Sequence, residues 1–263
     1  MRSRAQPPDS VVTYAQALTD QLVMVPHSAL QAAYLHGSAA LGGWVAGRSD
    51  VDILLVAGDG INSAAVKQMG EVLYAGAGEC PGRELECTLV TVAQARQPAP
   101  PWPFALHVTA GPGRPGRTVR PDSRSLGDPD LLMRYADCRA AGWPVYGPRP
   151  QDLIGAVPRA AILGYLADQL DWGIRHAAEA YVVLNACRAL IYLTDHKIVS
   201  KVAGGEAVLS RGNGPAEVIE RALAQQYGSE PDQPPASESV SFVLATAGML
   251  RSAAADEDKH AGH

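Results

Sequence analysis

The chain has 263 residues, 47% of them hydrophobic, which is enough to form one large or two smaller cores. Its formal net charge of −5 at pH 7 excludes the strongly basic composition that is typical of general nucleic-acid-binding proteins. No stretch approaches the roughly 20 consecutive apolar residues of a membrane-spanning helix, and no apolar segment follows Arg2 and Arg4 as in a signal peptide. We therefore predict a cytoplasmic protein that binds neither nucleic acids nor membranes, and we expect it to be a monomer.

The four cysteines predict no metal centre. Cys80, Cys87, Cys138 and Cys187 form no C-x-x-C pair, and their spacings match no zinc or haem pattern. We expect them to be free, partly buried thiols in a reducing compartment.

Helical and strand patterns alternate along the first 150 residues. The continuous apolar run at 51–56 is typical of a strand that is buried on both faces, and the alternation at 84–91 predicts a strand with two different faces. The first predicted elements are a helix over 11–33 that Pro26 ends or kinks, a strand over 34–36, a helical turn over 39–44, a strand over 51–56 and a helix over 61–77. They are followed by strands over 84–91 and 104–109, a surface loop over 111–128, a helix over 130–142 and a crossing segment over 143–147. The surface loop contains arginines at 114, 117, 120 and 124.

Strand patterns almost disappear after residue 152. Helices are predicted over 158–176, 180–194, 215–227 and 240–255, and the charged tail beyond residue 255 is expected to be disordered. The second of these helices is apolar nearly all round, which predicts a central position in a bundle. The fold class is therefore α+β, with an N-terminal domain over residues 1–150, built on a mixed sheet with flanking helices, and a C-terminal all-α helical bundle over residues 151–263.

Two aspartates lie at the start of the buried strand at 51–56, one directly before it and one as its second residue. If Asp50 and Asp52 are extended, both carboxylates project to the same face, where each resists ionisation unless a cation lies between them. Carboxylates together with substrate phosphates suit Mg²⁺, and the Gly37-Ser38 turn offers backbone N–H groups to a phosphate. An exposed Asp-x-Asp at a strand end is the alternative interpretation.

Two further charged residues are candidates for chemistry. Glu86 shares one face of its strand with Glu84 and Thr88, so it is either a general base beside the aspartates or part of a solvated edge. Arg188 lies within the apolar helix at 180–194 and needs an anionic partner, which is either a structural ion pair or a ligand.

Several segments together resemble a known family. Gly37-Ser38, followed by Ser49-Asp50-Val51-Asp52 and an apolar strand, resembles the signature of the nucleotidyltransferase superfamily that includes DNA polymerase β. Most of the chain resembles the aminoglycoside 3″-adenylyltransferases, which modify streptomycin and spectinomycin. The segments that carry this second resemblance are 36–38, 49–53, 85–88, 128–132, 147–148, 185–190 and 197–203.

The resemblance implies a role for each matching position. The domain over residues 1–150 would be the nucleotidyltransferase domain. Asp50 and Asp52 would hold Mg²⁺, and Glu86 would join them at the metal and act as the base that takes a proton from the acceptor hydroxyl. The nucleotide phosphates would be contacted by Gly37, Ser38, Ser49, Arg188, Lys201 and Tyr227.

The implied reaction is the Mg-dependent transfer of AMP from ATP to a hydroxyl of an aminoglycoside or aminocyclitol such as spectinomycin or streptomycin, with release of pyrophosphate. ATP and Mg²⁺ are then the cofactors, and the partner is a cationic small molecule. In the family, acidic and tryptophan residues before the central helix help to hold the antibiotic. Here Ala178 takes an expected acidic position, and Asp168, Asp171, Trp172 and Glu179 differ in spacing, so the acceptor is left open.

Two alternative functions are also open. One is a nucleotidyltransferase that acts on a different metabolite or on a protein hydroxyl. The other is a non-catalytic nucleotide-binding relative, against which the intact Asp50, Asp52 and Glu86 argue.

Overall fold

The computed structural model describes residues 5–112, 117–119 and 127–261. The chain forms two compact units, of which the first ends at Val157 and the second begins at Pro158. The first unit is built on a sheet with flanking helices and the second is helical, so the predicted α+β class is confirmed. Within the described parts of the chain, no helix combines the length and apolarity that crossing a membrane requires.

The sheet of the first unit has six strands among the described residues. They are β1 Leu30–Leu35, β2 Val51–Ala57, β3 Leu85–Thr91, β4 Leu106–Ala110, β5 Arg117–Val119 and β6 Trp143–Tyr146. Their order across the sheet is β5-β4-β3-β2-β1-β6. β2 and β3 run parallel, and the other neighbouring pairs are antiparallel, so the sheet is mixed as predicted.

The helices of the first unit precede, connect and follow these strands in the chain. They are α1 Asp9–Val23, α2 Gly37–Ala40, α3 Ser63–Gly76, α4 Val92–Arg96, α5 Leu131–Ala141 and α6 Pro150–Leu153. The apolar faces of α1 and α3 contribute Leu18, Leu22, Met69 and Leu73 to the core, each at most 2% exposed. Truncating such a side chain to alanine typically costs about 2–5 kcal/mol of unfolding free energy, so this packing fixes the central strands.

Among its described residues, the second unit contains five helices. They are α7 Arg159–His176, α8 Glu179–Asp195, α9 Lys201–Arg211, α10 Ala216–Tyr227 and α11 Ser237–Ala261. All four of the others pack against α8, whose Val182, Val183 and Leu184 are fully buried. The predicted central position of this helix is therefore confirmed.

Four predicted segments differ from the structure in their bounds or in their type. The helix predicted over 11–33 ends at Val23, and the strand predicted to begin at residue 34 already begins at Leu30, because residues 30–35 pair with β2 and residues 33–35 also pair with β6. The predicted crossing segment at 143–147 is the edge strand β6. The tail expected to be disordered beyond residue 255 continues α11 to Ala261.

The predicted surface loop at 111–128 contains a short strand. Residues 117–119 pair with β4 as β5, so this part of the prediction was wrong. The other three arginines of that segment, at 114, 120 and 124, lie outside the described residues.

Helix α9 was not predicted, because Gly204 and Gly205 lower the intrinsic helix propensity of its first turns. The structure explains both glycines. A Cβ at Gly204 would lie 2.9 Å from the backbone nitrogen of Arg188, and one at Gly205 would lie 2.9 Å from Cδ2 of Leu184. Tight packing of α9 on α8 therefore outweighs the local cost of the glycines.

Candidate active site

Gly37 begins the short helix α2 directly after β1, and it is held against Asp52 of the neighbouring strand. Its φ is +58°, in the left-handed region that favours glycine, and an added Cβ would lie 2.1 Å from Oδ2 of Asp52. The backbone N–H of His36 donates to the Asp52 carbonyl oxygen over 3.1 Å. The predicted Gly-Ser turn and Asp-x-Asp pair are thus in direct contact.

Two buried polar side chains at this turn find no hydrogen-bond partner within the described part of the chain. Both ring nitrogens of His36 and the hydroxyl oxygen of Ser38 are unsatisfied, and His36 is only 4% exposed. Burial lowers the pKa of His36 to about 3, and the nearby Arg134 adds to the decrease while Glu86 opposes it. The ring is therefore neutral, and the turn keeps polar groups available for a ligand.

Ser49 closes the loop that leads into β2. Its hydroxyl oxygen accepts from the Val45 N–H over 2.9 Å, and its own N–H donates to the Val45 carbonyl over 2.9 Å. The buried Ser49 therefore fixes the start of the Asp-x-Asp segment and keeps its hydroxyl hydrogen for a further acceptor.

Asp52 and Glu86 are register partners on the parallel strands β2 and β3. Burial raises the pKa of Asp52 well above its ordinary value, and the carboxylates of Glu86 and Asp50 add to the increase. Burial also acts to raise the pKa of Glu86, but Arg134 and then His107 outweigh it, so that pKa is lowered. Asp52 therefore resists ionisation beside Glu86 and Asp50, and a cation at this position would favour its charged form.

Asp50 forms a two-point ion pair that the sequence did not predict. Arg83 donates through Nε and Nη2 to the two carboxylate oxygens of Asp50, each over 2.9 Å. Burial raises the pKa of Asp50, whereas the Arg83 guanidinium acts to lower it. Both oxygens of this predicted metal ligand are thus engaged by an arginine.

Glu86 is held by a second arginine. Nη2 of Arg134, a residue of α5, donates to Oε1 of Glu86 over 2.8 Å, and its Nη1 donates to the Thr88 hydroxyl over 2.6 Å. The Thr88 hydroxyl also hydrogen-bonds the ring of His107 on β4 over 2.8 Å. Glu86 therefore projects from a fixed polar network on the face of the sheet, and the interpretation of its strand as a solvated edge was wrong.

The donor set suits Mg²⁺ without forming a complete shell of protein ligands. Among the described residues, no three Asp, Glu, His or Cys side chains already converge as a metal-binding group. Magnesium, however, typically takes one or two carboxylates together with substrate phosphates. The like-charge contact of Asp52 with Glu86 and the orphaned hydroxyl of Ser38 provide oxygen donors that a cation and a phosphate would satisfy.

The three candidate ligands in the second unit all border α9. Arg188 of α8 donates to Asn185 over 3.3 Å and packs against Gly204. The ammonium group of Lys201 lies 5.1 Å from the ring centroid of Tyr181. Tyr227, at the end of α10 and half-exposed, donates to Glu206 over 3.3 Å.

The region expected to hold an acceptor is largely engaged in internal contacts. Glu179 is 1% exposed and accepts hydrogen bonds from Arg221, Gln225 and Ser239. Asp171 pairs with Arg251, whereas Trp172 is 46% exposed and stacks on His176. Glu179 is therefore structural, and Trp172 is the exposed aromatic group of this region.

Sequence analysis missed Arg83 and Arg134, because each acts on a carboxylate more than 30 positions away in the chain. A partial signal exists for Arg83, which directly precedes the predicted strand at 84–91 and so lies at the start of the strand that carries Glu86. For Arg134, the only signal was a cation within a helix that is otherwise largely buried.

Comparison with known proteins agrees with this architecture. A family model described as the aminoglycoside adenylyltransferase C-terminal domain matches residues 152–250. A search of curated proteins found no significant match. Among solved structures, the chain is similar to the crystal structure of spectinomycin adenyltransferase AAD(9) from Enterococcus faecialis with ATP and spectinomycin, at a TM-score of 0.63 and 16% identity over 92% of this chain and 98% of that chain. Residues 152–250 are therefore similar to the C-terminal domain of the aminoglycoside adenylyltransferases, and the fold of the chain is similar to that of a solved spectinomycin adenyltransferase.

Proposed function

We propose that the enzyme transfers AMP from ATP to a hydroxyl of an aminocyclitol or aminoglycoside, with spectinomycin as the first acceptor to test. The observation that carries this proposal is the contact of Gly37 with Asp52, which in turn faces Glu86 across the parallel strands β2 and β3. A glycine turn for phosphates, a buried aspartate and a third carboxylate are the groups that nucleotidyl transfer requires.

The proposed reaction forms one P–O bond and breaks another. The acceptor oxygen attacks the α-phosphorus of ATP, the bond to the bridging oxygen of pyrophosphate breaks, and the hydroxyl proton passes to the Glu86 carboxylate. Arg134 keeps Glu86 ionised and oriented, so the side chain is able to accept that proton. Mg²⁺, when bound at Asp50 and Asp52, would neutralise phosphate charge.

The remaining predicted residues are assigned to the nucleotide. Gly37 allows the backbone to approach a phosphate, and Ser38 and Ser49 offer hydroxyl hydrogens. Arg188, Lys201 and Tyr227 are proposed to contact the phosphates, as the family resemblance implies. Charge-assisted hydrogen bonds from the two cations would contribute most to this binding.

The choice of spectinomycin as first acceptor is supported by the bound ligands of the similar solved enzyme, whose crystal structure contains ATP and spectinomycin. A different hydroxyl acceptor is the second candidate. It is favoured by one observation: Glu179, the acidic residue nearest the start of α8, is buried among internal hydrogen bonds and is not available to a cationic ligand.

The test is pyrophosphate release with ATP and Mg²⁺ in the presence of spectinomycin, streptomycin, other aminoglycosides or no acceptor. We expect release with spectinomycin, its loss in Asp50→Asn and Asp52→Asn, and retained ATP binding without transfer in Glu86→Gln. Lys67→Gln, which alters an exposed helical pair in the same unit, is the control and should leave the rate unchanged. ATP binding without release for any acceptor would favour the second candidate, and normal transfer by Glu86→Gln would refute the assignment of the base.

A further inference from the structure

Arg83 is placed beside Asp50 by the backbone and not only by its own side chain. The Arg83 N–H donates to the Ser49 carbonyl over 2.9 Å, and the Val51 N–H donates to the Glu84 carbonyl over 2.8 Å. These bonds continue the parallel pairing of β2 and β3 to the residues that precede its first pair, Val51 and Leu85. The approach is close enough that a Cβ at Gly82 would lie 2.6 Å from the Ser49 oxygen.

The side chain of Arg83, in contrast, has room to change partner. It is 46% exposed, whereas the Asp50 side chain to which it bonds is 24% exposed. Nη2 of Arg83 also lies 3.0 Å from the Glu84 carboxylate, so the guanidinium is shared between two acceptors. A fixed backbone and an exposed guanidinium allow exchange without refolding of the segment.

The pair at Asp50 competes with any cation at that residue. Both carboxylate oxygens accept hydrogen bonds from Arg83, and the guanidinium charge repels a second cation there, so a metal ion that binds Asp50 competes with this ion pair. The planar fork of a guanidinium binds phosphate in the same two-point manner as carboxylate. A displaced Arg83 would therefore retain a suitable partner if a nucleotide phosphate arrives with the metal.

We propose that Arg83 is an exchange residue, which leaves Asp50 when Mg²⁺ binds there and transfers its two-point hydrogen bond to a phosphate of the nucleotide. This inference rests on the proposed function, because it takes Asp50 as a metal ligand and ATP as the substrate. It adds a phosphate-binding and metal-regulating role for a residue outside the Gly-Ser and Asp-x-Asp motifs. The exchange would couple metal binding to nucleotide binding, since Arg83 has a new partner, the phosphate, only when the nucleotide arrives with the metal that replaces Arg83 at Asp50.

The experiment measures two affinities in the full-length protein, without turnover. The Kd of Mn²⁺ alone is measured by electron paramagnetic resonance, and the Kd of a non-hydrolysable ATP analogue with Mg²⁺ by calorimetry. We expect Arg83→Gln to bind Mn²⁺ about fivefold more tightly, because a partly exposed competing ion pair is removed. The same variant should bind the nucleotide about tenfold more weakly, because a charge-assisted phosphate contact is lost.

Arg83→Lys separates exchange from a general effect of charge. Lysine keeps the positive charge but lacks the two-point fork, so we expect Mn²⁺ to bind more tightly than in the wild type, whereas a pure charge effect predicts no change. Arg149→Gln is the matched control, since Arg149 forms an exposed ion pair with Asp152 in the same unit. It changes the net charge equally and should alter neither affinity. Thermal unfolding of each variant checks that the fold is intact.

The outcomes distinguish this inference from the proposed function. If Mn²⁺ binding is absent from the wild type, or is unchanged by Asp52→Asn, the metal site itself is refuted. If Mn²⁺ binding depends on Asp52 but is not tightened in Arg83→Gln and Arg83→Lys, the exchange is refuted and the metal site stands. Nucleotide affinity that is equal in the wild type and Arg83→Gln also refutes the transfer to phosphate.

Discussion

Gly37 shows how one residue links the backbone of the turn to the chemistry of the site. Only glycine combines its φ of +58° with the close approach to Asp52, where any β-carbon would overlap the carboxylate. The backbone N–H of His36 also donates to the carbonyl oxygen of Asp52, so the main chain of Asp52 is fixed as well. The conformation of the turn and the position of the aspartate are thus set by the same contact.

We expect Gly37→Ala to lose stability and to abolish metal-dependent nucleotide binding. The left-handed φ alone costs an alanine about 1–2 kcal/mol of unfolding free energy, and displacement of the Asp52 carboxyl adds to this loss. Gly47→Ala is the matched control, because Gly47 has a φ of +73° and no atom within 4 Å of the added Cβ. Urea unfolding should show the left-handed strain in both variants and a larger loss in Gly37→Ala, and titration with Mn²⁺ and a non-hydrolysable ATP analogue should show lost binding only in Gly37→Ala. Equal binding by the two variants would contradict the role assigned to Gly37.

At the scale of elements, α5 and β3 are joined by a buried charge. The Arg134 side chain is 9% exposed, and its bonds to Glu86 and Thr88 connect residues 48 and 46 positions apart in the chain. Burial opposes the charge on Arg134, but Glu86 and then Asp128 raise its pKa, so the guanidinium stays charged. The same contact therefore contributes to packing and orients the proposed base.

Removal of the Arg134 charge should destabilise the first unit strongly. We expect Arg134→Met to lose about 3–5 kcal/mol of unfolding free energy, because Glu86 would be left beside Asp52 without its counter-ion. The stability of Arg134→Lys should lie between those of the wild type and Arg134→Met, since a single ammonium group cannot reproduce the two hydrogen bonds of the guanidinium. Urea unfolding measures the difference, and the double variant Glu86→Gln with Arg134→Met should recover part of the loss. A stability of Arg134→Met within about 0.5 kcal/mol of the wild type, as expected for the exposed Arg149→Gln, would refute this role.

Three helices of the second unit meet at Glu179. This residue begins α8 and accepts two hydrogen bonds from Arg221 of α10, and further bonds from Gln225 of α10 and Ser239 of α11. The hydrogen bonds from Arg221, then those from Ser239 and the Ala236 N–H, lower the pKa of Glu179 to about 2 against the opposing effect of burial. A single carboxylate therefore connects the ends of α8, α10 and α11.

The pKa of Glu179 predicts how the stability of this bundle depends on pH. Because its pKa is lower in the folded than in the unfolded chain, where it is about 4.3, the carboxylate stabilises the fold fully above pH 5 and loses this effect as pH falls toward 2. The contribution is on the order of 3 kcal/mol. We expect Glu179→Gln to be destabilised by about that amount at pH 7, and the difference from the wild type to shrink between pH 5 and pH 2. Urea unfolding at several pH values measures it, and the exposed Glu238→Gln should show no such convergence.

Across the whole molecule, apolar periodicity predicted those elements whose buried faces can be read from their own local sequence. The strands β2 and β3 and the helices α3 and α8 were found in this way, because continuous or periodic apolar runs specify which faces are buried. Helix α9 was missed, since Gly204 and Gly205 are explained only by their close packing against α8. The arginines at Asp50 and Glu86 were missed for the same reason, because distant strands and helices bring those partners together.

The four cysteines offer a test of the fold in both units at once. None of the four forms a disulfide among the described residues, and all are buried, with Cys80 at 6% exposure and Cys87, Cys138 and Cys187 fully inaccessible. Burial raises the pKa of Cys187 to about 12 and that of Cys87 further, so neither forms a thiolate near neutral pH. The native protein should therefore react slowly with a thiol reagent, whereas the unfolded chain should release four equivalents of chromophore.

Titration with Ellman's reagent at pH 8, with and without 6 M guanidinium chloride, measures this difference. We expect well under one equivalent to react within minutes in the native protein, because access requires opening of the core. Cys187→Ala is a useful comparison, since Cys187 lies in α8 of the second unit and the other three thiols lie in the first. At intermediate urea, the labelling of the wild type minus that of Cys187→Ala is the contribution of Cys187. This contribution reports opening of the helical unit. Rapid labelling of two or more native thiols would show that the cores are open on the timescale of the experiment, contrary to the buried cysteines of both units.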